Sequence, residues 1–67
     1  MKTYNIFVSG GEKIKSTCAS CITKACKSFI ESLDKPAKYK LESKAYASIR
    51  YIDNYTVCSD FVIMEAD

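Results

Sequence analysis

Ser20-Cys-Ile-Thr-Lys-Ala-Cys-Lys-Ser-Phe-Ile-Glu-Ser-Leu-Asp-Lys-Pro36 decides the fold, because this stretch breaks the two-residue period that runs on either side of it. Stepped at about 100° per residue, Ile22, Ala25, Cys26, Phe29, Ile30 and Leu33 fall in one arc, and Lys24, Lys27, Ser28 and Glu31 fall opposite. The pattern predicts an amphipathic helix over residues 20–33. Ser20 is the expected cap, its hydroxyl accepting a bond from a free N–H of the first turn. Asp34-Lys35-Pro36 ends the helix, since the residue before a proline is steered away from helical dihedrals.

Before the helix, Tyr4, Ile6 and Val8 alternate with Thr3, Asn5 and Phe7. Gly10-Gly11 marks a turn, because glycine accepts positive φ without strain. Ile14, Ser16 and Cys18 then alternate with Lys13, Lys15 and Thr17. A loop over residues 9–11 pairs Ile6 with Ile14 and Tyr4 with Ser16; a two-residue loop pairs Ile6 with Lys15 and Val8 with Lys13. The first is expected, because a one-residue slip exchanges core for solvent.

After the helix the period returns to two. Tyr39, Leu41, Ala45, Ala47, Ile49 and Tyr51 share one parity; Lys38, Lys40, Glu42, Lys44, Tyr46, Ser48 and Arg50 share the other. This is either one long strand or two bent at Glu42-Ser43-Lys44. Asp53-Asn54 reads as a turn and residues 55–64 as the last strand. A loop over residues 53–55 puts Val57, Phe61 and Ile63 on the core side and Asp60 outside; a two-residue loop would bury Asp60 at a cost. The expected fold is α+β: an antiparallel sheet in the order β-β-α-β-β, five-stranded if residues 37–51 fold back, with one helix packed on one face. The other face is left to water or a partner.

Sixty-seven residues are expected to make a single domain, 1–67. A chain this short buries only about 60% of its unfolded surface. Carving out a pocket of roughly 300–1,000 Å³ would remove much of the core, so function on an open surface is expected. The apolar run at residues 4–8 is too short for a signal-peptide core or a membrane span, and a cytoplasmic protein without membrane contact is expected. There is no histidine, hence neither the commonest general base nor the commonest metal ligand. The carboxylates are scattered, no phosphate-loop motif occurs, and Ser9-Gly10-Gly11 joins strands rather than opening a helix. No catalytic residue, no cofactor and a non-enzymatic role are expected.

Cys18-Ala-Ser-Cys21 has the CxxC spacing, with Cys26 and Cys58 beyond it. A zinc site needs four thiolates converging tetrahedrally. Here Cys26 lies on the apolar arc of the helix, Cys18 ends a strand, Cys21 starts the helix and Cys58 shares the outer parity of the last strand. Buried structural thiols and no metal are expected; a disulfide is the alternative, without a secretory signal to favour it. Cys21, at a helix N-terminus whose dipole stabilises a thiolate, is the one of the four expected to be most reactive, the alternative being a half-buried small residue with no such role.

Charge is distributed unevenly. Residues 1–50 carry all ten bases against Glu12, Glu31, Asp34 and Glu42, a net +6, and residues 51–67 carry four acids and no base. Lys13, Lys15, Lys38, Lys40, Lys44 and Arg50 all take the parity facing away from the helix, with Phe7 and Tyr46 among them. Cations beside exposed aromatics suit phosphates and stacked bases and also acidic protein patches. The bland alternative is a solvated face whose Lys stems cover apolar surface. Val62 and Met64 on the outer parity of a final edge strand suggest a third possibility, a homodimer formed by edge pairing rather than a monomer.

The segment Lys13-Ile-Lys-Ser-Thr-Cys-Ala-Ser-Cys-Ile-Thr-Lys-Ala25, entered from a Gly-turn hairpin, resembles a pattern of very small phage and mobile-element proteins. Among these the chain is similar to the small type I-F anti-CRISPR inhibitors built as a sheet with one helix. The likeness covers the architecture over most of the chain and residue identity over about residues 13–29. The pattern often carries Ser where Cys21 stands, which puts the position of the cap in question. The resemblance implies a non-enzymatic inhibitor that binds a host protein or ribonucleoprotein complex, blocking a nucleic-acid path or contacting acidic residues there. The bases named above are candidates by position rather than by motif. A small nucleic-acid-binding domain is the alternative.

Overall fold

The hairpin at the start of the chain fixes which residues reach the core, and it does so through a bulge. In a computed structural model, which describes residues 1–53 and 59–66, β1 (Lys2–Val8) pairs antiparallel with β2 (Lys13–Ala19). The turn is the expected one: Gly11 N–H donates to Val8 C=O at 2.7 Å, Val8 N–H donates to Glu12 C=O at 3.2 Å, and Gly10 takes φ +71°. Phe7 accordingly faces Lys13. The register then shifts, so that Ile6 stands opposite Lys15, Tyr4 opposite Thr17 and Lys2 opposite Ala19. The expected pairs Ile6–Ile14 and Tyr4–Ser16 are therefore corrected. Two residues of β2 oppose one of β1, and everything beyond changes face. The physical gain is visible on both sides. Ala19 enters the core at 6% exposure, and Ser16 Oγ donates to Asn5 Oδ1 at 2.8 Å on the outside instead of lying under Tyr4.

The helix α1 (Ile22–Glu31) is shorter than the expected 20–33. Its N-cap is Cys21, extended at φ −155°, and no side chain caps it, so Ser20 does not play the expected part. Ile22, Ala25, Cys26 and Phe29 are buried and Ile30 and Leu33 pack against them, as the periodicity requires. The C-terminus tightens: Ser32 N–H and Oγ both donate to Phe29 C=O, and Leu33 N–H donates to Ile30 C=O.

Residues 37–51 form two strands, β3 (Ala37–Leu41) and β4 (Tyr46–Tyr51), with Leu41 opposite Ala47 and Lys38 opposite Arg50. Glu42 N–H donates to Tyr46 C=O at 3.0 Å, which leaves a three-residue loop. An odd loop preserves parity, which is why one alternation ran unbroken through both strands. The last strand, β5 (Phe61–Glu65), inserts between β1 and β4, giving a five-stranded antiparallel sheet in the order β2-β1-β5-β4-β3. It is central, which corrects its expected place at an edge. Of the residues 55–64 expected in that strand, those before 59 lie outside the described residues, as do Val57, Cys58 and most of the turn expected at 53–55. Phe61 and Ile63 do face the helix. Asp60 stands outside the core, half-buried, with Oδ2 accepting Tyr51 N–H at 2.7 Å.

One register line, Ile6–Ile63–Ala47, crosses the inner face through three fully buried residues, and Ile49 joins them. Phe61 closes the core near β4, edge-on to Phe29 at 5.0 Å and to Tyr51 at 5.8 Å. No buried polar residue occurs among those described. The architecture is thus α+β, with α1 across one face of the sheet and the opposite face uncovered. No helix among the described residues is long and apolar enough to cross a membrane.

Candidate functional site

The uncovered face is built by register. Lys13 on β2, Phe7 on β1, Val62 on β5, Ser48 on β4 and Lys40 on β3 are successive cross-strand partners, so one line of side chains crosses the sheet from edge to edge. The next line runs Ser16, Asn5, Met64, Tyr46. At a strand spacing of about 4.8 Å, the two lysines that end the first line stand about 19 Å apart. Between them lie Phe7, Val62 and Tyr46, all partly exposed, and Met64 at 38% exposure. Lys38 and Arg50 pair on a third line near the β3 edge. No strand residue on this face is acidic among those described.

Of the expected binding residues, Phe7, Lys13, Lys38, Lys40, Tyr46 and Arg50 therefore lie on the face turned from the helix. Lys15 and Lys44 do not, and both expectations are corrected. The bulge moves Lys15 to the helix side, opposite Ile6. Lys44 sits in the β3–β4 loop, at a surface hollow beside the start of α1 that Lys2 and Cys21 also line. The cations are also not one continuous patch. Lys13 stands alone on the β2 side, and Lys38, Lys40 and Arg50 line a shallow hollow of about 430 Å³ with Ser48 and Ser59 on the other. Glu42 lines the same hollow, and Arg50 already has an interaction inside the fold, so the exposed charge there comes from Lys38 and Lys40 with the carboxylate of Glu42 opposing them. The apolar middle contributed by β5 was not singled out as part of a site from the sequence. Its signal was the pair Val62 and Met64 on the outer parity, read instead as an edge.

The cysteines separate by environment. Cys26 is fully buried among the core residues, and burial pushes its thiol up to about 11. Cys18 and Cys21 are exposed, which corrects the expectation of buried thiols for both. Cys18 follows Ser16 to the outer face through the bulge and lies opposite Thr3. Cys21 holds the N-cap position. The backbone N–H of Lys24 stabilises its thiolate and lowers its pKa; partial desolvation opposes this, and the N–H of Thr23 assists it. Among the described residues, no three Cys, Asp or Glu side chains are placed to hold a metal ion.

No family model, no curated protein and no solved structure matches this chain.

Proposed function

We propose that this chain is a non-enzymatic inhibitor of the phage type, acting in the cytoplasm of a host cell by docking its uncovered sheet face on a protein or ribonucleoprotein defence complex. The observation that carries the reading is the register line Lys13–Phe7–Val62–Ser48–Lys40, with Tyr46 and Met64 beside it. An aromatic and aliphatic centre with a charged rim is the anatomy of a protein interface. Aromatic side chains at such a centre carry most of the binding energy, while rim charges steer the encounter. One partner's share of a standard interface, about 800 Å², would take roughly a sixth of the 4509 Å² surface. The basic rim calls for an acidic or phosphate-bearing border on the partner. The resemblance to type I-F anti-CRISPR inhibitors supplies the class of complex.

Lys38 and Lys40, close together at that hollow, favour a second reading, a small nucleic-acid-binding domain, since closely spaced bases suit phosphates, while Glu42 in the same lining opposes it. One set of titrations separates the two. Binding to a purified type I-F surveillance complex is measured for the wild type and for a Lys13→Glu, Lys38→Glu, Lys40→Glu variant, and binding of the wild type to DNA and RNA at two salt concentrations. The inhibitor reading expects binding to the complex, lost on charge reversal, and weak binding to free nucleic acid. Tight binding to free nucleic acid that falls steeply with salt, or no binding to the complex, overturns it.

A further inference from the structure

The sheet has two edges, and they differ. The edge at β2 is broken by the bulge next to Ile14, which twists a strand away from further pairing. The edge at β3 is regular: all five of its residues pair with β4 without a shift. Pro36 C=O accepts Ile52 N–H and Glu42 N–H donates to Tyr46 C=O, each at 3.0 Å. By antiparallel alternation, the backbone groups of even-numbered residues face β4. The N–H and C=O groups of Ala37, Tyr39 and Leu41 therefore point outward, along an edge on which no other described strand pairs. Beside that edge, on the helix side, an open groove of about 370 Å³ runs between α1 and β3, lined by Lys27, Ile30, Glu31, Ala37, Lys38 and Tyr39.

We infer that this edge is a strand-addition site: an extended segment of a partner protein, alternating apolar and acidic residues, pairs with β3 as a sixth strand. Its apolar side chains lie opposite Ala37, Tyr39 and Leu41 and enter the groove against Ile30; its acidic ones lie opposite Lys38 and Lys40. Charge selects this occupant. Lysines on an edge ordinarily deter pairing, and a second copy joined β3 to β3 would set Lys38 and Lys40 against their own kind, which is destabilising. An acidic strand turns the deterrent into attraction. Main-chain pairing supplies affinity that a face contact alone does not. The acidity of the partner rests on the function proposed above; the backbone pairing does not.

The test uses the isotopically labelled chain and a synthetic peptide alternating valine and glutamate over the length of β3. Binding is expected to shift the amide resonances of Ala37, Tyr39 and Leu41 and to slow their hydrogen exchange. The same peptide N-methylated at the pairing positions should bind at least tenfold more weakly, and one alternating valine and lysine should not bind. Leu41→Pro removes an outward N–H from an exposed residue, a substitution that edge strands tolerate, and should abolish binding. Shifts confined to β2 or to the Phe7–Val62 face, no binding, or equal affinity for the N-methylated peptide would overturn the inference; that last comparison decides alone if Leu41→Pro does not fold. If Leu41→Pro folds and still binds the surveillance complex like wild type while Val62→Arg, at the centre of the face and away from β3, does not, strand addition fails and the face reading stands. The opposite result removes the face and keeps the edge.

Discussion

Val62 and Ile63 are neighbours in sequence on opposite faces of the central strand, and truncating each to alanine should have very different consequences. Ile63 is fully buried between Ile6 and Ala47. Ile63→Ala removes three carbons, at about 0.8 kcal/mol each in lost transfer energy. A cavity contribution follows, because neighbours on two flanking strands cannot close the gap, and the expected total is about 3–4 kcal/mol. Val62→Ala removes two carbons from a side chain only partly buried on the uncovered face, and should cost less than about 1 kcal/mol. A chain of this length has on the order of 3–10 kcal/mol of stability in all. With a urea slope near the low end for small proteins, about 1 kcal/mol per molar, the midpoint should fall by about 3 M for Ile63→Ala and by less than about 1 M for Val62→Ala. Urea melts followed by circular dichroism provide the measurement, with Ile63→Val, expected to cost about 1 kcal/mol, covering the case in which Ile63→Ala does not fold. Equal losses at the two positions would show that the outer face is packed as tightly as the inner one. Its availability to a partner would then be refuted.

Four further outcomes follow from the same geometry. In native-state alkylation read peptide by peptide, Cys18 and Cys21 should react promptly and Cys26 at least about a hundredfold more slowly, since it waits on an opening that costs a large part of the global stability; a protected Cys18 would mean that the bulge is absent. The Cys21 rate should reach its plateau at lower pH than that of an ordinary thiol, because helix N–H groups hold its thiolate, and a plateau at the ordinary pH would contradict that. Cys26 has the opposite sign: its folded-state pKa is raised to about 11, so above the ordinary thiol range the unfolded chain ionises first and stability should fall as pH rises towards 11, a loss that Cys26→Ala should remove from the pH profile of urea melts. Gly10→Ala should cost about 1 kcal/mol, since nothing lies within 4 Å of the added carbon and the strain comes from φ +71° alone; a neutral effect in the same melts would count against that turn.

The parts of this fold that were legible in the sequence are those where local rules act without interruption. Phe29 and Cys26 lie where the helical period puts them, and Lys38, Lys40, Tyr46 and Arg50 share a face because a three-residue loop keeps strand parity. The loop at residues 9–11 was legible too, yet Lys15 and Cys18 ended on unexpected faces. A bulge next to Ile14 adds one residue to β2, and no local pattern announces it; it is favoured by Asn5 across the sheet and by Ala19 beneath the helix. Ser20 was a sound cap by composition, but the chain turns one residue later and Cys21 takes the position. The site was half legible for a different reason. Which strand lies between β1 and β4 is a matter of long-range topology. The insertion of β5 there separates Lys13 from Lys40 and places Val62 and Met64 at the centre of the face. That turns an expected basic patch into an apolar surface with basic flanks.

A photo-crosslinking amino acid at Val62, compared with the same group at Ser28 on the exposed side of α1, gives the most direct measurement of where a partner sits. Irradiation with the purified surveillance complex should yield a covalent adduct from position 62 and none from position 28. Adducts from position 28 alone, or from neither position under conditions in which the unmodified chain binds, would contradict docking through the uncovered face of the sheet.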